Sequence, residues 1–174
     1  MLDLNDILSC ENKEIYQEAC LEMSAFESAM GSFPVTKHKP FTLHIINVGN
    51  KALQIQCSVE VSVSIPCDRC LEEVPYEFHL EIQEELELDG NGGVKAEDME
   101  AESCMMGTKL DTDRLVRKEM LVHWPAKVLC KDDCRGICKK CGANLNNQAC
   151  GCDQTVPDPR MAAIQDIFNK YKEV

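Results

Sequence analysis

The sequence predicts an α+β fold: an antiparallel β-meander or hairpin body, a few helices and a C-terminal cysteine-rich segment. Three observations carry this expectation. Two long runs alternate apolar and polar residues on either side of a short turn. One stretch near residue 111 offers helix N-cap residues and an apolar stripe, and ends at a proline. Six cysteines fall between Cys130 and Cys152.

Taken in order, Leu4, Ile7 and Leu8 could share one side of a short helical turn, and the apolar positions across 13–30 (Ile15, Ala19, Leu21, Met23, Phe26, Met30) have a loose helical spacing. Residues 41–48 favour a strand by alternation and β-branching, and Gly49-Asn50 marks a turn. From Leu53 to Ile65, every second residue is apolar and the residues between are Gln, Ser or Glu, which describes a strand with one buried and one wet face. Cys57 falls in the apolar register and reads as a core thiol. A second alternation runs from Val74 through Tyr76, Phe78, Leu80 and Ile82 to Leu86 and Leu88. The two runs should pair antiparallel, with Cys67 and Cys70 at the tip between them.

Residues 89–109 read as an acidic loop, with Met105 and Met106 marking its return to the core. Asp111-Thr112-Asp113 then starts a helix whose stripe is Leu115, Val116, Met120, Val122 and Trp124, and Pro125 ends it. The expected organisation is a sheet-plus-helix body over 1–125, a cysteine module over 126–155 and a C-terminal helix over 156–174. Met161, Ile164, Ile167, Phe168 and Tyr171 would form the apolar stripe of that helix.

The net charge of −12 is unevenly placed: residues 1–124 carry −14 and residues 125–174 carry +2. An acidic body repels a phosphate backbone and suits a basic protein partner. Direct contact with RNA would fall to the C-terminal part, through Lys127, Lys131, Arg135, Lys139 and Lys140. No apolar run reaches the roughly 20 residues of a membrane span, and the N-terminus lacks the charge pattern of a signal peptide. A cytoplasmic protein is the expectation. Its twelve cysteines then read as metal ligands or redox thiols, not disulfides.

Cys138-Lys139-Lys140-Cys141-Gly142 has the form of a turn that aims two sulfurs at one ion, and Cys150-Gly151-Cys152 supplies a second pair. Zinc favours four thiolates in a closed tetrahedron. Gly142 suits the positive φ expected just after the second cysteine, Gly151 would make the tight Cys-x-Cys sterically possible, and Lys139 and Lys140 would offset the thiolate charge. A disulfide cluster or an iron–sulfur cluster would use similar residues. Cys67, Cys70, Cys130 and Cys134 are a proposed second zinc site, fastening the hairpin tip to the segment after the helix. Two alternatives stay open: Cys67 and Cys70 as free thiols, or Cys130 or Cys134 replacing a ligand of the first site.

Catalysis is not expected. His38, His44, His79 and His123 are isolated, no nucleophile elbow or phosphate loop occurs, and a four-thiolate zinc leaves no position for water. A thiol redox or zinc-transfer protein is a further alternative.

The hairpin closed by Ile65-Pro66-Cys67-Asp68-Arg69-Cys70-Leu71, the strand after it, the capped helix and the Cys134-Arg135-Gly136-Ile137-Cys138-Lys139-Lys140-Cys141-Gly142-Ala143-Asn144-Leu145-Asn146 segment with its Cys-Gly-Cys close resemble the YceD family over roughly residues 1–155. Ile137 and Lys139 stand where the family often has Leu and Pro. The resemblance implies a part in accumulation of 23S ribosomal RNA and in large-subunit assembly. It also implies genomic proximity to a small zinc-containing large-subunit ribosomal protein, which makes such a basic protein, or a pre-ribosomal particle, the expected partner.

Overall fold

The computed structural model describes residues 1–89, 94, 104–152, 164 and 167. Its centre is the long hairpin. Strands β6 (Ala52–Pro66) and β7 (Glu73–Glu87) pair antiparallel along their whole length, from Ala52↔Glu87 to Pro66↔Glu73. The strict two-residue period puts Leu53, Ile55, Cys57, Val59, Val61, Val63 and Ile65 on one face with Phe78, Leu80, Ile82 and Leu86, all buried. Pro75 is accommodated because β7 pairs only with β6 among the described residues, so no second ladder needs its missing N–H.

The far side of β6 is shared by two strands running in line. β5 (Phe41–Val48) pairs with its first half and β4 (Gly31–His38) with its second, both antiparallel. A bulge between Val35 and Lys37 and the Lys39-Pro40 junction break what is otherwise one long ribbon. The β5–β6 turn uses Gly49 (φ 60) and Asn50 (φ 53), and Lys51 N–H donates to Val48 O at 3.0 Å, the type I′ arrangement that matches strand twist. Outside these lie β2 (Glu14–Ala19) on β5 and β3 (Ala25–Ser28) on β4, again antiparallel.

The loose helical spacing over 13–30 is therefore overturned: the stretch forms the edge strands β2 and β3. Much of β2 is exposed, with only Ile15 and Ala19 partly buried, so its ladder bonds rather than an apolar stripe hold it in place. Tertiary pairing outweighs a weak local pattern. Residues 31–38, unassigned from sequence, form β4 for the same reason.

The inner face is closed by α1 (Asn5–Leu8), α2 (Thr112–Val122) and a small sheet of β1 (Leu2–Asp3), β9 (Lys109–Leu110) and β8 (Met105–Met106). The end of the 89–109 loop is thus not loop but a two-stranded turn; Met105 is buried as its return to the core requires, whereas Met106, its neighbour in the strand, faces the other way and is exposed. Asn47, fully buried, joins layers: its Nδ2 donates to Ile7 O at 2.9 Å and its Oδ1 accepts from Asn50 N–H at 3.0 Å. The Asp111 side chain caps α2 by accepting from Asp113 and Arg114 N–H. Leu115, Val116 and Met120 are buried, but Val122 is 71% exposed and leaves the expected stripe, because the helix ends there and the chain turns toward Trp124. The Trp124 ring lies 5.0, 4.7 and 5.8 Å from those of Phe26, Phe33 and Phe78, sealing that end of the core. The expected C-terminal helix lies outside the described residues except for Ile164 and Ile167, which are helical and exposed.

Candidate metal centre

The turn between β6 and β7 is a tight loop closed by Cys67 N–H to Glu72 O (2.8 Å) and Leu71 N–H to Cys67 O (2.9 Å), with Leu71 at φ 63. It faces the chain that follows α2. Asp68 N–H donates to Val128 O (2.9 Å), and Asp68 Oδ2 accepts from Val128 N–H (2.7 Å). Arg69 Nη1 donates to Cys134 O (2.8 Å), and Arg69 O accepts from Ile137 N–H (3.0 Å). These four bonds bring Cys130 and Cys134 onto the hairpin tip.

The result is a clip of four sulfurs, from Cys67, Cys70, Cys130 and Cys134, all within 4.8 Å of one another. Cys67 and Cys134 sulfurs are 3.8 Å apart, and those of Cys70 and Cys130 are 3.4 Å apart. A tetrahedral zinc with Zn–S bonds of about 2.3 Å sets its sulfurs about 3.8 Å apart, so the spacing suits such an ion. Cys67, Cys70 and Cys134 are buried and Cys130 half-buried, which closes the site to solvent.

A second group, here called the knuckle, joins Cys138, Cys141, Cys150 and Cys152, again within 4.8 Å. Its first turn is closed by Gly142 N–H to Cys138 O (2.8 Å), and Gly142 has φ 72, as that turn demands. Lys140 N–H points at Cys138 Sγ from 3.4 Å. The intervening loop folds back, with Cys138 N–H on Ala143 O (2.8 Å) and Ile137 bridged to Asn144. Cys138 is buried, Cys150 and Cys152 are half-buried and Cys141 is exposed, so the knuckle is the wetter of the two. Gly151 has open space where a Cβ would sit and no positive φ; the expected steric need for glycine there is absent.

Electrostatics fit a cation. Burial opposes a thiolate at Cys67, but backbone N–H groups of Arg69, Cys130 and Cys70 outweigh it and bring its pKa down to about 6. The Asn146 amide, donating at 3.2 Å, holds Cys134 below the usual thiol range. Burial and the neighbouring thiols push Cys130 up, and the Cys141 thiol and burial push Cys152 up to about 12. Thiols this close share their protons until a cation offsets the accumulating charge. All eight donors are soft sulfurs with N–H groups aimed at some of them, and each set of four could hold a metal ion.

All twelve cysteines are free of disulfide bonds. Cys57 and Cys104 lie in the core, where burial pushes their thiols up to about 12 and about 11. Cys10 and Cys20 are exposed, and Cys20 Sγ lies 3.5 Å from His38 Nδ1. Asp68, Arg69, Gly136 and Asn146 also shape the centre, roles that the sequence alone does not assign them. Gly136 has φ 76, and a Cβ there would lie 2.9 Å from Arg69 O. All of them lie within the two cysteine motifs that carry the family resemblance, which was the available signal.

The fold and these two groups define a β-sheet protein with paired four-cysteine centres able to hold metal ions. The family model of the large ribosomal RNA subunit accumulation protein YceD matches residues 55–168, from β6 through both centres, and the chain belongs to that family. No curated protein and no solved structure matches the chain. The family description points to a role in accumulation of large-subunit ribosomal RNA. Among the described residues, no helix is long and apolar enough to cross a membrane.

Proposed function

We propose that this chain is a non-enzymatic, cytoplasmic ribosome-biogenesis factor that supports 23S rRNA accumulation by binding a basic protein of the large subunit or of its processing machinery, with zinc in both four-cysteine centres as structural clamps. The observation that carries the partner reading is the wet face of the sheet. Glu73, Glu77, Glu81 and Glu85 stand exposed along β7 in one register. Three of them accept hydrogen bonds from neutral groups across the pair: Ser64 to Glu73, Ser58 to Glu81 and Gln54 to Glu85. Neutral donors orient a carboxylate without cancelling its charge, so the face presents a row of negative charge to a cationic partner. Zinc fits the all-sulfur donor sets, and four thiolates leave it no open position for chemistry. Its place would be to hold the tail against the hairpin.

The test is capture of large-subunit proteins and precursor particles by the purified chain, with and without chelator. Salt-sensitive capture of a basic protein is expected; no capture at low salt would end the reading. A direct rRNA contact is favoured by one observation, the exposure of Lys127, Lys131, Arg135, Lys139 and Lys140 around the centres. Under that reading, charge reversal at Lys139 and Lys140 abolishes RNA crosslinking.

A further inference from the structure

The two centres share a short stretch of chain. Cys134 belongs to the clip and Cys138 to the knuckle, so Arg135, Gly136 and Ile137 alone separate them. Each of the three is held. Arg135 N–H donates to Asn146 Oδ1 at 2.8 Å, Gly136 O accepts from Leu145 N–H at 2.9 Å, and Ile137 N–H donates to Arg69 O at 3.0 Å. Asn146 sits in the loop between the two ligand pairs of the knuckle, where Asn144 Oδ1 accepts from its backbone N–H at 2.9 Å. Its side-chain amide leaves the knuckle and donates to Cys134 Sγ, a sulfur of the clip, at 3.2 Å.

We propose that Asn146 is a positioning residue that couples the two centres, so that metal in the knuckle prepares the clip and the pair fills cooperatively. The proposal rests on the reading of both centres as zinc sites. Convergence of the knuckle cysteines on one ion would hold residues 142–149 at both ends, and that ordering carries a conformational-entropy cost. Once it is met, Asn146 is already aimed at Cys134 and the linker 135–137 is already fixed, so the clip binds its ion with less left to order. The amide bond also fixes one ligand orientation, as outer partners of metal ligands do. Asparagine serves both ends at once. An aspartate could keep the Arg135 bond, but it could not donate to sulfur and would add negative charge beside a four-thiolate ion.

The experiment titrates zinc into the metal-free full chain and counts species with zero, one and two ions by native mass spectrometry. In the wild-type protein the one-zinc species should stay well below half of the total at every point. Asn146→Asp and Asn146→Leu should let it accumulate, with clip affinity reduced about 10- to 100-fold. Maleimide labelling of that species should mark Cys67, Cys70, Cys130 and Cys134 and spare the knuckle. Circular dichroism of both variants should show the sheet unchanged, since Asn146 lies outside the hydrophobic core. The coupling is overturned if the wild-type one-zinc species reaches half, if both variants titrate like wild type, or if labelling marks the knuckle instead. A wild-type chain that never holds a second zinc overturns the two-zinc reading itself, and the coupling with it.

Discussion

Replacing Gly136 by alanine should cost the zinc-loaded protein about 2–3 kcal/mol. At φ 76 the backbone lies in the left-handed region, where a Cβ costs about 1–2 kcal/mol. The new methyl would also sit 2.9 Å from the Arg69 carbonyl oxygen, a backbone atom with little freedom to withdraw. That oxygen accepts from Ile137 N–H at 3.0 Å, and pushing it aside loses a bond worth about 1 kcal/mol. Two other glycines of the module separate these contributions. Gly142 has φ 72 but nothing within 4 Å of a Cβ, so Gly142→Ala should show the backbone contribution alone, about 1–2 kcal/mol and smaller than the effect at Gly136. Gly151 has neither constraint, and Gly151→Ala should be neutral or stabilise by a few tenths of a kcal/mol through the unfolded chain. Urea unfolding at one fixed zinc excess, followed by circular dichroism, ranks the three. A Gly136→Ala effect no larger than that of Gly142→Ala would refute the claim that the hairpin tip and the linker touch there.

Elemental analysis of the purified chain should find two zinc ions, and one ion would sink the two-site reading. Chelation should expose the eight clustered thiols while leaving the sheet's far-UV signal, because the main core contains none of these eight cysteines. Phe26→Ala should cost about 3–5 kcal/mol and shift the fluorescence of Trp124, which stacks on it and is the protein's one tryptophan; an unchanged spectrum would count against that packing. The thiol of Cys57 is raised in the folded state from 9.0 to about 12 by burial, then by Glu81. The unfolded chain therefore binds fewer protons between those values, and stability should fall as pH rises from about 9 to about 12. Cys57→Val should flatten that part of the pH profile, and a profile identical to wild type would contradict the burial of the thiol.

Much of this protein is legible without coordinates. The Leu53–Ile65 and Val74–Leu88 alternations describe β6, β7 and the face each buries, since a one-residue slip would turn an apolar set to solvent; the turn between them sets the register. Asp111 and Pro125 bracket α2 through local chemistry. The cysteine spacings single out the same eight residues that the fold gathers into two sets of four. What the pattern did not show was the edge strands and the contacts around the cysteines. β2 and β3 bury too little side chain to show a period, and they are strands because β5 and β4 offer unpaired backbone groups. Asp68, Gly136 and Asn146 act on partners 60, 67 and 12 positions away in the chain. The sequence by itself determined the elements whose cause is local: alternation, capping and ligand spacing. Tertiary structure alone decided which edges pair and how the two cysteine centres touch, because edge pairing uses backbone groups that every residue carries, and the centres meet through side chains whose partners are set by the fold and not by a local pattern.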